Sequence, residues 1–299
     1  MATIDILGVP HAYDLTPPPP NSSLPVLVFI HGWLLSRRYW QPLINILSPS
    51  YQCLIYDLRG FGDSLYESIA KKSLQSTQSH PKHLLEQSYS LAAYAQDLGV
   101  LLRKLKINRA WLIGHSLGGS ISLWGADLFP NQVEGVICLN SGGGIYLKEE
   151  FERFRAAGEQ IVKLRPRWLV NLPGIDLLFT RVTVANPVPL SWGRQRVIDF
   201  VVADSEAALG ALMDSTTEAE VNMLPQVVAR IKQPAYFLAG AQDKVMESRY
   251  VCHLASFHQL FQDCGHNFIE IPNCGHMSMV EQTDLVASNI NKILSNHQN

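Results

Sequence analysis

Two identical tripeptides near the end of the chain carry residue types that can do chemistry. Cys-Gly-His occurs at Cys264–His266 and again at Cys274–His276. Thiolates and imidazoles bind transition metals, so these residues, together with His253, are a candidate zinc site. Structural zinc ligands are usually separated by about two to four residues. A thiol and an imidazole separated by one glycine do not fit that spacing, which favours a single histidine acting as a general base.

The segment between the two histidines bears on which of them can act. HNFIEIP, which starts at His266, is typical of a short β-strand, with Phe268 and Ile269 apolar and Pro272 closing it. At about 3.3 Å per residue, such a strand separates His266 from His276 by roughly 20 Å. The two imidazoles therefore cannot serve one nucleophile, and the same distance disfavours a shared metal ion.

A serine far upstream is the candidate nucleophile. Gly114-His115-Ser116-Leu117-Gly118 matches the pattern Gly-x-Ser-x-Gly and lies between a predicted strand and a predicted helix. A nucleophile above a sheet occupies a strained turn, and the two glycines let the strand and the helix approach closely. The peptide N–H of Leu117 then points to the space near the Ser116 hydroxyl, where it can stabilise an oxyanion. The alternative is a glycine-rich helix start that only packs.

The composition is typical of a compact soluble globule. Of the 299 residues, 47% are apolar and 17% are charged, and the net charge of −2 does not suggest a nucleic-acid partner. No apolar run is long enough for a membrane-spanning helix, and the N-terminus lacks the pattern of a secretory signal. Five cysteines, some within apolar segments, predict free thiols in a reducing compartment, so the cytoplasm is the expected location.

Apolar runs alternate with helical patterns along the chain, after an opening hairpin and a polyproline segment at 17–20. Residues 88–107 have apolar side chains every three or four positions, as an amphipathic helix requires. This alternation is typical of buried parallel strands with helices on both faces of the sheet. The predicted core strands are LPVLVFIHG (24–32), QCLIYDLRG (52–60), AWLIG (110–114), VEGVICLN (133–140), PAYFLAGAQD (234–243) and HNFIEIPN (266–273).

Two stretches interrupt the alternation. Residues 66–87 are polar and serine-rich, which predicts a surface excursion. Residues 144–222 contain no good strand pattern but many helical ones, which predicts a helical cap inserted after the sixth strand. We therefore expect an α/β fold with a mostly parallel, doubly wound sheet, its core formed by residues 1–143 and 223–299 and its cap by residues 144–222.

The motifs together resemble those of the α/β-hydrolase superfamily over the whole length outside the cap. Besides the serine motif, three segments carry the resemblance: His31-Gly32-Trp33, the Asp-x-Arg-Gly-x-Gly-x-Ser turn at Asp57–Ser64, and Gly275–Glu281. The resemblance implies an α/β-hydrolase fold and a triad in the order Ser, Asp or Glu, His. It also implies that the backbone N–H of Trp33 is a second oxyanion donor. The turn Asp57–Ser64 is interpreted as structural.

The triad order points to the two remaining residues. Asp243 follows the strand PAYFLAG at the C-terminal sheet edge, where open α/β sheets build their sites. Some relatives carry the acid after the preceding strand, but Leu139–Gly142 contains no carboxylate. The predicted catalytic residues are Ser116, Asp243 and His276, with the backbone N–H groups of Trp33 and Leu117 as the oxyanion hole and with no metal or cofactor.

A serine nucleophile predicts acyl transfer. Ser116 attacks a carbonyl, His276 accepts the serine proton, and water releases the acyl-enzyme. The expected reaction is hydrolysis of a carboxylic ester, or a related acyl bond, in a small to medium apolar substrate. Haloalkane dehalogenases and epoxide hydrolases use an aspartate nucleophile and are disfavoured. A carbon–carbon bond hydrolase or lyase, a cofactor-free perhydrolase and a non-catalytic ligand receptor on the same fold remain alternatives.

The expected partner is a small-molecule substrate, and a homodimer is compatible with the sequence. Apolar residues of the cap could line an acyl pocket, although burial in the cap's own core is the simpler prediction for most of them. These residues are Trp168, Leu169, Val170, Ile175, Leu178, Phe179, Val182 and Trp192.

Overall fold

The protein is described by a computed structural model that covers residues 1–20, 23–65, 88–142, 148–264 and 267–297. The predicted surface excursion at 66–87 and the predicted placement of His266 lie outside these residues. Element labels below follow the chain order of the described segments.

Eight strands form a single sheet in the described residues. The first two make an antiparallel hairpin, the second also pairs antiparallel with β4, and the six remaining strands run parallel to one another. The spatial order is β1-β2-β4-β3-β5-β6-β7-β8. The strands are β1 (Ala2–Ile6), β2 (Val9–Leu15), β3 (Val26–Ile30), β4 (Cys53–Tyr56), β5 (Ala110–His115), β6 (Val133–Leu139), β7 (Ala235–Gly240) and β8 (Phe268–Ile271).

Helices connect the parallel strands, because parallel neighbours need a crossover. Those of the α/β core are α1 (Gln41–Leu47), preceded by a 3₁₀ turn (Arg37–Trp40), α2 (Leu91–Lys104), α3 (Leu117–Leu128), α9 (Ser248–Ala255), α10 (Gln259–Cys264), α11 (Ser278–Glu281) and α12 (Thr283–Ser295). Between β6 and β7 lie α4 (Lys148–Lys163), a 3₁₀ turn (Arg167–Asn171), α5 (Ile175–Phe179), α6 (Leu190–Val202), α7 (Ser205–Ser215) and α8 (Glu218–Arg230).

The sheet is buried on both faces, because alternate residues of its strands enter two separate apolar cores. In β3, Val28 and Ile30 pack into one core, which includes side chains of α2 and α3. Leu27 and Phe29 pack into the other, which includes side chains of α1 and α12. Strands buried on both faces read as continuous apolar runs, which is why the sequence predicted these strands correctly.

The α/β fold with a helical cap after the sixth strand is confirmed. The division at residues 144 and 222 stays a prediction, and α8 runs across the second of these positions. No helix in the described part of the chain has the length and apolar character needed to span a bilayer. The thiols of Cys53, Cys138, Cys252 and Cys274 are free.

Candidate active site

Ser116 lies in a strained turn between β5 and α3. Its backbone has φ 52° and ψ −119°, a conformation that costs a non-glycine residue about 1–3 kcal/mol. The turn also needs two close backbone approaches. A Cβ at Gly114 would lie 2.1 Å from the carbonyl oxygen of Gly118, and a Cβ at Gly118 would lie 2.1 Å from that of Ile30. The glycines flanking Ser116 therefore have the packing role that the sequence predicted.

Asp243 and His276 meet at the C-terminal edge of the sheet, after β7 and β8 respectively. His276 Nδ1 donates to Asp243 Oδ2 at 2.8 Å, which leaves Nε2 as the basic nitrogen of the neutral ring. Asp243 Oδ1 accepts from the backbone N–H groups of Val245 and Met246. Burial raises the pKa of Asp243, but the adjacent His276 and these hydrogen bonds outweigh burial and hold that pKa below its ordinary value.

Asn140 completes the environment of the carboxylate. Its side-chain amide donates to Asp243 Oδ2 at 2.9 Å and to the carbonyl oxygen of Gly275 at 3.0 Å. Asn140 directly follows β6 and has φ 51°, a conformation that asparagine tolerates better than most residues. From the sequence, this position was notable only for the lack of a carboxylate. An amide at the end of a neighbouring parallel strand was the signal that could have revealed its role.

Two further side chains hold the backbone around His276. Nε2–H of the buried His115 donates to the carbonyl oxygen of His276 at 2.6 Å. Burial and the neighbouring His276 lower the pKa of His115 to about 3. The carboxylate of Glu281 accepts from the backbone N–H groups of Gly275 and Met277, at 3.0 and 2.9 Å. The position of the imidazole thus depends on residues outside the predicted triad.

Ser116 and His276 line one cavity of about 550 Å³ between the core and the cap. Ser116 and His276 face the same cavity, and no hydrogen bond joins the side chains of these two residues. Trp33 and Leu117 line the same cavity. The N–H of Leu117 opens α3 and has no intrahelical acceptor, so it is available for an oxyanion.

The rest of the cavity wall is largely apolar. Core and cap both contribute, through Leu91, Phe154, Ile161, Phe179, Val221 and Leu224. Among the described residues of the wall, Arg196 and Glu220 carry charged side chains. Its volume is in the range of small-molecule sites.

Two residues of the other motifs, His31 and Asp57, support this site without lining it. His31 Nε2 accepts from the N–H of Leu58, and its Nδ1–H donates to the carbonyl oxygen of Gly32. The buried Asp57 accepts from the backbone N–H groups of Arg37 and Asp63 and forms an ion pair with the Arg37 guanidinium. The His31 bonds fix the start of the loop that carries Trp33, and the Asp57 bonds to Arg37 fix its end, consistent with a structural role for Asp57.

The family of the chain follows from a comparison with known sequences. Residues 27–289 match the sequence model of the alpha/beta hydrolase family. The chain belongs to this family. The predicted fold and the resemblance drawn from the motifs are thereby confirmed.

Two relatives of known name match parts of the chain at low identity. A segment of 142 residues is 27% identical to PHYLLO, chloroplastic, of Arabidopsis thaliana and covers 48% of this chain and 8% of that protein. A segment of 123 residues is 31% identical to RutD of Enterobacter cloacae subsp. cloacae, a putative carbamate hydrolase. This segment covers 41% of this chain and 40% of RutD. The matched segments thus span less than half the length of either relative.

A thermophilic esterase from Thermogutta terrifontis has a similar structure, with a TM-score of 0.70 and 20% sequence identity. The alignment covers 98% of this chain and 96% of the esterase. At this identity the likeness concerns the fold alone.

The cap departs from the sequence prediction at particular positions. Phe179 and Val182 line the cavity, and Ile175 is buried. Trp168 and Leu178, however, are 61% and 59% exposed. The prediction that most such residues form the cap's own core is wrong for these two, because helical periodicity does not reveal whether a neighbouring element covers a given face.

The alternative hypothesis was a metal site, and the structure describes only some of its candidate ligands. Among the residues that the structure describes, no three His, Cys, Asp or Glu side chains are grouped to hold a metal ion. Cys274 is buried, and burial raises the pKa of its thiol. His276 is bonded to Asp243, and His266 lies outside the described residues.

Proposed function

We propose that this hydrolase cleaves a carboxylic ester, or a related acyl bond, through an acyl-enzyme on Ser116. The observation that carries the proposal is the Asp243–His276 hydrogen bond at the wall of the cavity that Ser116 also lines from its strained turn. The largely apolar wall supports a small to medium apolar substrate. A cytoplasmic location and a homodimer remain predictions that accompany this proposal.

In the proposed reaction, Ser116 Oγ attacks the acyl carbonyl while its proton moves to His276 Nε2. The Leu117 and Trp33 N–H groups stabilise the oxyanion, and His276 then gives the proton to the departing alkoxide. A water molecule, deprotonated by His276, attacks the acyl-enzyme and releases the acid and the free serine. Asp243 remains ionised throughout, because its low pKa favours the carboxylate that stabilises the His276 imidazolium.

Covalent labelling with a fluorophosphonate tests the nucleophile directly. We expect the wild type to be labelled and to hydrolyse p-nitrophenyl esters, and Ser116→Ala to lose labelling and to reduce kcat by roughly four orders of magnitude. Ser120→Ala is the matched control, because Ser120 lines the same cavity but is not in the predicted triad. Unchanged labelling of Ser116→Ala, or a folded wild type that is neither labelled nor active, contradicts the proposal.

One observation favours a second candidate, a carbon–carbon bond hydrolase or lyase with the same triad. Arg196 is buried in the cavity wall and donates to the carbonyl oxygens of Phe179 and Val182 and to the Thr183 hydroxyl. No carboxylate of the described residues lies within ion-pair distance of it, so its charge is available to an anionic substrate. A wild type that hydrolyses esters but cleaves no carboxylated 1,3-diketone rejects this candidate.

A further inference from the structure

The most exposed apolar side chains of the protein are concentrated on the cap. Apart from Met1, every large apolar side chain of the described residues that is more than 55% exposed lies between residues 164 and 190. Isolated apolar residues on a surface are ordinary, whereas a cluster of them marks an interaction site. The cap patch consists of Leu164 (73% exposed), Trp168 (61%), Leu172 (43%), Leu177 (58%), Leu178 (59%) and Leu190 (58%).

Hydrogen bonds hold together the segments that carry the cap patch. Arg194, on α6, donates to the carbonyl oxygen of Val170 in the second 3₁₀ turn and lies 3.4 Å from the carboxylate of Asp176 on α5. Leu190 is the first residue of α6. The 3₁₀ turn, α5 and α6 are therefore held against one another. They carry Trp168, Leu177, Leu178 and Leu190 of the cap patch, and Leu172 directly follows the turn.

The cap segments that carry the cap patch also contribute to the wall of the cavity. Ile161 and Val182 line the cavity and are also 45% and 37% exposed. Phe179, another cavity residue, directly follows Leu178 of the cap patch. The cavity wall and the cap patch thus meet on α5, which carries both Leu178 and Phe179.

The charge around the cap patch is opposite in sign to that of the whole chain. Residues 159–194 contain five basic and two acidic side chains, a net charge of +3, in a chain of net charge −2. Arg167 and Arg181 are exposed. Lys163 is paired with Glu159, Arg194 is paired with Asp176, and Arg165 is buried. Exposed leucine and tryptophan beside lysine and arginine are the combination found in segments that lie in the headgroup region of anionic membranes.

We infer that the cap patch docks on a lipid surface with anionic headgroups and that the cavity takes ester substrates from that surface. The apolar side chains insert at the interface, and the basic residues face the headgroups. Docking is peripheral and does not depend on the proposed function. The uptake of substrate from lipid does rest on that function.

Flotation with vesicles tests the docking. We expect the wild type to bind vesicles of phosphatidylcholine and phosphatidylglycerol in equal parts, to bind pure phosphatidylcholine weakly, and to dissociate as salt is raised. The double variant Leu177→Ser/Leu178→Ser should reduce the vesicle partition coefficient by at least about tenfold. The matched control is Leu128→Ser/Leu285→Ser, which removes two exposed leucines outside the cap patch and should bind as the wild type does.

Three results overturn the inference: no preference of the wild type for anionic vesicles, equal binding by both double variants, or a dimer in solution that Leu177→Ser/Leu178→Ser converts to a monomer. The last result would assign the cap patch to a second copy of the chain.

Activity separates docking from catalysis. Leu177→Ser/Leu178→Ser should hydrolyse a water-soluble short-chain ester normally and a vesicle-embedded ester at least about tenfold more slowly. Ser116→Ala should bind vesicles normally and hydrolyse neither ester. Vesicle binding without activity in the wild type would refute the proposed function but leave the docking intact.

Discussion

At the scale of single residues, the environment of Ser116 depends on side chains whose role is to hold others. Asn140 and two backbone N–H groups hold the carboxylate of Asp243, and His115 holds the carbonyl oxygen of His276. His115 is fully buried beside a second imidazole, so its charged form is strongly disfavoured. A neutral ring with a proton on Nε2 is the form that donates this hydrogen bond.

The buried His115 predicts a loss of stability on acidification. The unfolded chain protonates this ring near its ordinary pKa of 6.5, whereas the folded protein protonates it only at about pH 3. Between these values the unfolded state binds more protons. The contribution of His115 is thus fully present above pH 6.5, and it decreases by up to about 1.4 kcal/mol per pH unit as the pH falls.

His115→Gln tests this contribution, because glutamine retains an N–H donor but does not titrate. We expect urea unfolding at a series of pH values to show that the free energy of unfolding depends less steeply on pH in the variant than in the wild type. Between pH 6 and pH 4, the two slopes should differ by about 1.4 kcal/mol per pH unit. Other buried groups titrate in the same range, among them His11 and Asp199, but they are shared by both proteins and cancel in the difference. Parallel curves would contradict the prediction.

At the scale of elements, the site depends on how closely α3 approaches β3. A Cβ at Gly118 would meet backbone oxygens of Ile30 and His31 at 2.1 and 2.6 Å, and backbone cannot move aside without shifting the sheet. At Gly125 in the same helix, the nearest atoms are 2.9 and 3.2 Å away and belong to the ends of Leu112 and Leu98. Those side chains can change rotamer.

Gly118→Ala should therefore lower the free energy of unfolding by about 3 kcal/mol or more, and should displace the Ser116 turn and reduce activity. Gly125→Ala is the matched control, since the gain in helix propensity offsets a small repacking cost, and we expect a change within about 1 kcal/mol. Urea denaturation and ester hydrolysis measure both effects. Equal destabilisation by the two substitutions would show that the close approach to β3 is not limiting.

At the scale of the whole molecule, the cap meets the core around the candidate site. Trp33 Nε1–H donates to the carbonyl oxygen of Ala208 in α7, and the Ser36 hydroxyl donates to Asp199 in α6. The backbone N–H of His276 also donates to the cap, to the carbonyl oxygen of Thr183. The loops that carry the predicted oxyanion donor and the predicted base are thus both tied to the cap.

Glu281 links the two parts most directly. The oxygen that accepts from Gly275 also accepts from the N–H of Ala185 in the cap, at 2.7 Å. One carboxylate therefore holds three backbone N–H groups, two in the histidine loop and one in the cap. A glutamine cannot replace it, because its NH₂ group would face an N–H donor.

Glu281→Gln should lower kcat about tenfold with a smaller change in KM, because it disturbs the position of His276 more than the substrate pocket. It should also lower the free energy of unfolding by about 1–3 kcal/mol, through the donors left unpaired. Steady-state kinetics and urea denaturation measure the two effects. Glu270→Gln, at an exposed position of β8, is the control and should leave both nearly unchanged. A Glu281→Gln enzyme with wild-type kcat would exclude this positioning role.

The amino-acid sequence by itself determined the strands, the strand–turn–helix around Ser116 and the sheet edge to which Asp243 and His276 belong. These features follow from local patterns: apolar runs, glycine spacing and the polarity of parallel strands. The pairing of Asn140 with Asp243 and of Glu281 with Ala185 depended on which separated loops meet in space. Exposure of Trp168 and burial of Ile175 likewise could not be read from periodicity. A helical pattern shows which side chains share a face. Only tertiary packing decides whether another element buries that face or leaves it exposed.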